Sequence, residues 1–297
     1  ASANIDGKLF AHNLLGHMMQ RGTAQMNTTQ LSNALEKKAI DFGIYPAADD
    51  IIISLSALPK YKDDLFDLFG KIVAQPRFLS KDPNVIQEQQ ADLNTQKEQI
   101  KNSIKESFNK PVNIAHDNLI SAIYPQNHPY GATRLRTLQN IDKLNINDLK
   151  QTYKNVFTPS NMTISVVGNV DPAEVNRTLS AHLSALPQTK PQIKDVIRQP
   201  FLKNILKTRT KEGISQAEIF KAWKAPSYKD NDRYAMKLLS AILSTGLNSR
   251  LFKEFREKRD GLCYSVKARH DAALNDGIIK FYVGTSPENI KTCLDLF

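Results

Sequence analysis

The chain has 297 residues, with 40 Lys and Arg against 30 Asp and Glu, and is 41% apolar and 24% charged. These proportions exclude a disordered chain, and the length allows two domains of ordinary size. The formal charge is +10, yet the basic residues run along the whole sequence without a zinc-finger, RRM or KH pattern, so nucleic-acid binding is not indicated.

No apolar run approaches the length of a membrane span; the longest, IIISLSAL at 51–58, is strand length. Cys263 and Cys293 stand outside any CxxC arrangement, which excludes a zinc ribbon or a redox pair of that kind. The first residue is not Met and no signal-like segment follows, as expected of a chain from which a leader has been removed.

In chain order, residues 9–20 repeat Phe10, Leu14, Leu15, Met18 and Met19 at helical spacing, and 28–42 read as a second helix opened by Thr. Residues 43–59 alternate as extended structure, and KDDLFDLFGKIVAQP is a helix with acids in its first turn and Lys71 in its last. A long polar helix is expected over 83–109 and another over 111–124, closed by the turn-rich YPQNHPYG. Met162–Val167 reads as a buried strand, followed by a helix start with Asp171 as N-cap, Pro172 at N1 and Glu174 at N3. The proline-rich stretch beginning at 187 reads as a linker.

Beyond it, AEIFKAWKAP is a strand, and DNDRYAMKLLSAILS is a helix with Tyr234, Leu238, Leu239 and Ile242 on one face. SRLFKEFREKRDG is a helix ending at Gly261, LCYSVKARHD and GIIKFYVGTS are strands, and SPENIKTCLDLF starts a helix with Ser286 as cap. VVGNVDPAEV and YVGTSPENI look alike, which hints at two copies of one fold.

Five strings, GHMMQRGT, NHPYG, MTISVVGNVDPAEV, LNSRLFKEFREKRDGLCYSV and YVGTSPENI, occur in the order they take in the pitrilysin/insulinase-type zinc peptidases, family M16, which also holds the mitochondrial processing peptidases. The chain resembles that family over nearly its whole length. The resemblance implies an α+β fold of two homologous domains of the LuxS/MPP-like metallohydrolase type, each a mainly antiparallel sheet packed with helices. The domains would be 1–186, a linker 187–206, and 207–297, the last cut short.

Active members of that family carry H-x-x-E-H on a helix, where two His at i and i+4 share one face and grip zinc while the Glu activates a bound water. Set in register by HMMQRGT, His17 matches the second His, while Asn13 stands for the first and Gly16 for the base. His12 does not repair the site, because residues five apart lie about 140° around a helix. The third ligand's place falls near Ser103, with Glu98 and Glu106 as other registers. This chain is therefore expected to hold no metal of its own.

The family's second domain supplies an Arg and a Tyr in R-E-K-x-G-L-x-Y, donors to the substrate carbonyl as it becomes an oxyanion. Arg256 and Tyr264 match them in REKRDGLCYS, with one extra residue between; Arg259 is a substitute if the helix ends differently. Some bacterial members divide the work between one chain with the zinc site and another with this pair, and this sequence resembles the second kind.

The implied function is a non-catalytic subunit of a heterodimeric zinc peptidase that binds peptide and completes an HxxEH-bearing partner, where the zinc would reside. Peptide would add to a sheet edge near 44–50, where Asp49 and Asp50 either favour basic sequences or are simply solvated, as acidic loops beside strands more often are. The alternatives are a peptide-binding or assembly protein without a peptidase role, and a self-sufficient metallopeptidase with an altered site. Two-chain bacterial members are often exported, which implies a periplasmic location. His128 and Tyr130 belong to a family turn, with the loop His expected at the surface, and His116, His182 and His270 receive no role.

Overall fold

The computed structural model describes residues 8–191, 196–200, 204–259 and 261–297. They form two compact units that are discontinuous in sequence: the described residues of Ser2–Asn102 and Thr137–Lys194 in the first, and those of Ser103–Arg136 and Asp195–Phe297 in the second. Residues 103–136, counted on the sequence with the domain 1–186, thus pack with the second unit. Of the expected linker 187–206, residues 192–195 and 201–203 lie outside the described residues.

In the first unit the apolar repeat of the opening segment makes α1 (Ala11–Met19), whose Leu14, Leu15, Met18 and Met19 are all buried. Asn27 caps α2 (Thr28–Glu36) through a reciprocal capping box with Gln30. The helix expected to reach 42 stops short, because residues 41–46 pair as β1 (Asp41–Pro46) with β2 (Ile51–Ser56) in an antiparallel hairpin. α3 (Lys62–Ala74) carries Asp63 and Asp64 in its first turn and Lys71 in its last, complementing the helix dipole. The polar α4 runs over Pro83–Ser107, and α7 (Ile146–Val156) packs beside α1. The buried Tyr153 of α7 donates its hydroxyl to the carbonyl of Val73 at 2.7 Å, tying α7 to α3.

α8 (Pro172–Leu183) begins as its sequence predicts, with the Asp171 carboxylate accepting from Ala173 N at 2.9 Å. The segment before it does not behave as predicted. Residues 162–167 pair with no strand among the described residues and are not buried; Val167 is 96% exposed. Their apolar composition is that of a core strand, but no described strand pairs with them, and α8 faces Ile164 and Val166 only across an open groove.

The second unit is built on a three-stranded antiparallel sheet in the order β3 (Ala217–Lys224), β5 (Gly277–Thr285), β4 (Ser265–Ala272). α5 (Pro111–Ile123) lies against β3, with His116 edge-on to Phe220 at 5.6 Å. A small core of Leu251, Phe255, Leu262, Cys263, Ala268, Val283 and Cys293 is buried here. α9 (Arg233–Ser244) is the amphipathic helix expected, yet none of its residues is buried, and the face of Tyr234, Leu238, Leu239 and Ile242 is exposed.

His128 is buried, not on the surface as the turn suggests. Its ring stacks on Tyr124 at 4.7 Å; Nδ1 accepts from Tyr130 N, and Nε2 donates to the carbonyl of Ile197 at 3.0 Å. Beside it, the fully buried Asp276 receives Lys224 Nζ at 2.6 Å and the backbone N–H of Gln199 and Gly277. A buried carboxylate with these donors staples residues 196–200 to the sheet.

Charge divides unevenly. Of the 40 basic and 30 acidic residues, 23 and 14 belong to the second unit and 17 and 16 to the first, so the net +10 splits as +9 and +1.

His12 is 4% exposed, and among the described residues only the backbone of Ala47 offers its ring a polar contact. Burial pushes its pKa down to about 4. The unfolded chain, with an ordinary pKa near 6.5, then binds more protons as pH falls from 6.5 toward 4, so folding stability is lost across that window and is fully present above it. Urea unfolding at pH 7 and pH 4.5 should show His12→Leu losing about 2 kcal/mol less than wild type over that interval. An equal loss in both would mean His12 does not titrate in this way.

Candidate functional site

Two places carry the residues singled out on the sequence, one in each unit. The first is α1. Asn13 and His17 are half-buried, and burial lowers the His17 pKa. Gly16 is buried against the hairpin: a Cβ built there would meet Pro46 Cγ at 3.2 Å and Ile44 Cγ2 at 3.4 Å. A side chain there would press on β1 by a few tenths of an ångström. The position is not an empty slot awaiting Glu but a packing contact that only glycine meets without displacing its neighbour.

His12 does not add a ligand, since it is buried in the core of the first unit while His17 is partly open. Glu98 pairs with Lys101 at 2.6 Å. Among the described residues no three His, Cys, Asp or Glu side chains gather closely enough to hold a metal ion. The donor set present does not fit a zinc centre.

The second place is the passage from α10 (Arg250–Phe252) to β4. Residues Lys253–Glu257 form a π-turn, with Lys258 N donating to the carbonyl of Lys253 at 2.9 Å. Such turns hold one more residue than an α-turn and are frequent at functional sites. The continuous α-helix expected to Gly261 is thus replaced by this wider turn. Gly261 adopts φ +73°, which suits glycine at the end of a helical segment. Asp260 lies outside the described residues.

Arg256 is exposed and lies over the Phe252 ring, 5.3 Å from its centroid. Arg259 is engaged otherwise: its guanidinium reaches back to the carboxylate of Glu254 at 3.2 Å and to its carbonyl at 2.8 Å. Between the two candidates, Arg256 is the one that makes no ion pair among the described residues.

Tyr264 is 60% exposed, with its hydroxyl 3.2 Å from Ser286 Oγ and its N–H donated to Gly284 at 2.8 Å. Ser286, expected as a helix cap, makes no capping bond to the turn before α11 (Ile290–Leu296) and meets Tyr264 instead. Cys263 joins these parts. Its thiol points at the Phe255 carbonyl of the π-turn at 3.7 Å, so the residues next to Arg256 and Tyr264 touch through the sulfur. Burial pushes its pKa up to about 11, with Cys293 nearby adding to this and Arg256 opposing it.

The sequence missed the π-turn, the Cys263 joint and the buried Asp276 staple. No local sequence signal marks the first. The other two depend on partners far apart in sequence.

The family description "Insulinase (Peptidase family M16)" matches residues 10–137, and "Peptidase M16 inactive domain" matches residues 143–297. Among curated relatives, a Bacillus subtilis protein named uncharacterized zinc protease YmxG is 24% identical over 284 residues, 93% of this chain and 64% of that protein. A Helicobacter pylori protein named non-peptidase homolog YmxG is 25% identical over 260 residues, 86% of this chain and 56% of that protein. The chain thus spans about three fifths of the length of the curated relatives it matches.

A Pseudomonas fluorescens crystal structure of a peptidase M16 inactive domain superposes with a TM-score of 0.82 at 20% identity, covering 100% of this chain and 69% of that one. The α+β fold is that of these structures. With both family descriptions matched in order along its length, the chain belongs to the M16 peptidase family, and its second half to the family's inactive-domain type.

Proposed function

We propose that this chain is the non-catalytic subunit of a two-chain M16 zinc peptidase. In this reading it binds the peptide and supplies Arg256 and Tyr264 to the active site of an HxxEH-bearing partner, which holds the zinc. The observation that carries the reading is the contrast between the two places. At α1 the base position is Gly16, with Pro46 and Ile44 packed against it, and the donor set is short of ligands. At the π-turn, Arg256 and Tyr264 remain exposed, unlike Arg259, which is tied to Glu254.

Both side chains are open to solvent. Each is a hydrogen-bond donor of the kind that steadies a developing oxyanion. The relative named non-peptidase homolog supports the loss of an independent activity. A periplasmic location goes with this reading.

A second reading, a peptide-binding or assembly protein with no peptidase role, draws on the same pair. Arg256 over Phe252 and Tyr264 on Ser286 are contacts that would hold both side chains in place without any substrate.

Elemental analysis of the purified chain with a quenched-peptide library and added Zn²⁺ should find neither stoichiometric zinc nor cleavage. Stoichiometric zinc with chelator-sensitive cleavage would make the chain an enzyme by itself. Co-expression with an HxxEH-bearing M16 chain from the same genome should give cleavage that falls about 10²- to 10³-fold with Arg256→Ala, with Tyr264→Phe also impaired. Unchanged rates in both variants would favour the assembly reading.

Asn13→His combined with Gly16→Glu should still take up no stoichiometric zinc. Because the new Cβ presses on Pro46, chemical denaturation should show a loss of about 1–3 kcal/mol. Zinc uptake by that variant would show that the third ligand is in place.

A further inference from the structure

We infer that Ser286 is a positioning residue for Tyr264, its hydroxyl holding the phenol oxygen so that the phenol O–H points out to the substrate carbonyl. This rests on the two-chain reading, in which Tyr264 donates to the developing oxyanion, and it adds the group that aims the donor.

Ser286, Pro287, Glu288 and Asn289 have the order of a helix start, and a serine in that place ordinarily accepts an N–H of the turn it opens. Here the backbone obeys that pattern and the side chain does not. Ser286 is extended, at φ −75° and ψ 151°, the region to which Pro287 confines the residue before it. The turn Pro287–Asn289 is closed by its own backbone, with Asn289 N–H donating to the Ser286 carbonyl at 3.0 Å. The serine hydroxyl makes no capping bond and lies instead 3.2 Å from the Tyr264 hydroxyl.

The two stretches of main chain that carry this pair are locked together. Tyr264 N–H donates to the Gly284 carbonyl at 2.8 Å, Thr285 Oγ1 donates to the Leu262 carbonyl at 2.5 Å, and Asn289 Nδ2 reaches the same carbonyl at 3.5 Å. Thr285 and Cys263, the neighbours of the pair, are both buried. With the backbones fixed, only side-chain torsions remain to place the phenol. A tyrosine that is 60% exposed samples several rotamers unless a partner selects one. Ser286 is that partner.

A hydroxyl has one hydrogen to give and two lone pairs to accept with. When Tyr264 gives its hydrogen to an oxyanion, it keeps the Ser286 contact only as an acceptor, so Ser286 donates. The chain then runs one way, from Ser286 Oγ–H to Tyr264 Oη and from Tyr264 Oη–H to the oxyanion, and each bond strengthens the next. No proton is transferred. The gain grows as charge develops on the carbonyl, so it belongs to kcat and not to KM.

The test is a double-mutant cycle on the co-expressed pair of full chains, with kcat and KM read separately on one quenched-fluorescence peptide from the library. Ser286→Ala should lower kcat about fivefold to tenfold, the size of one neutral hydrogen bond, with KM unchanged. Ser286→Thr keeps the hydroxyl and suits the position before a proline, and should restore the rate. In a Tyr264→Phe background Ser286→Ala should cost nothing further, since the oxygen it holds is gone. Circular dichroism should find every variant folded.

An unchanged kcat in Ser286→Ala, an equal loss in both backgrounds, or a loss confined to KM overturns the positioning role and leaves the two-chain reading in place. A pair that cleaves nothing, or that cleaves as fast with Tyr264→Phe, overturns the two-chain reading and the positioning role with it.

Discussion

The close approach of β1 to α1 is the contact on which the character of this molecule turns. Pro46 and Ile44 lie against Gly16, and the helix that presents Gly16 buries Leu14, Leu15, Met18 and Met19 around it. A metal-binding helix must keep one face polar and open enough to admit an ion and a water. Here hairpin and helix meet tightly at the position where a base would act, so α1 has become an element of the core. The buried imidazole of His12 fits the same account, since it is carried into the interior of the first unit by a helix whose packing is apolar nearly all round.

The second unit follows the opposite logic. Its sheet and the turn before β4 are stitched by contacts reaching across the sequence. Cys263 meets Phe255, Tyr264 meets Ser286, Thr285 donates to Leu262 at 2.5 Å, and Asp276 gathers Lys224 with two backbone N–H groups. These fix the backbone on either side of Arg256 and Tyr264 while leaving both side chains exposed. A rigid support under open donors is the arrangement expected where polar groups must meet a ligand without reorganising.

Much of this was legible in the sequence. The apolar spacing of α1, the Asp-Pro-x-Glu start of α8 and the alternating strands of the second unit are local patterns, and they formed where the spacing placed them. Family likeness set the register that makes Gly16 and Asn13 informative. What stayed hidden was non-local. Hydropathy made residues 162–167 a core strand and α9 a helix with a core face, but burial needs a neighbour packed on it, and among the described residues neither surface is covered. His128 could not be placed in the interior without knowing that Tyr124 and the Ile197 carbonyl would flank it.

The thiols of Cys263 and Cys293 are both buried, and burial raises the pKa of each. A protonated sulfur away from solvent is a poor nucleophile, so neither residue is reactive while the fold around it holds. They are the only two cysteines in the chain, and both belong to the second unit. Alkylation of this protein is thus a clock for the opening of one unit alone. Its rate counts the excursions that uncover the sheet beneath Arg256 and Tyr264, and it is blind to any loosening of α1 and its hairpin.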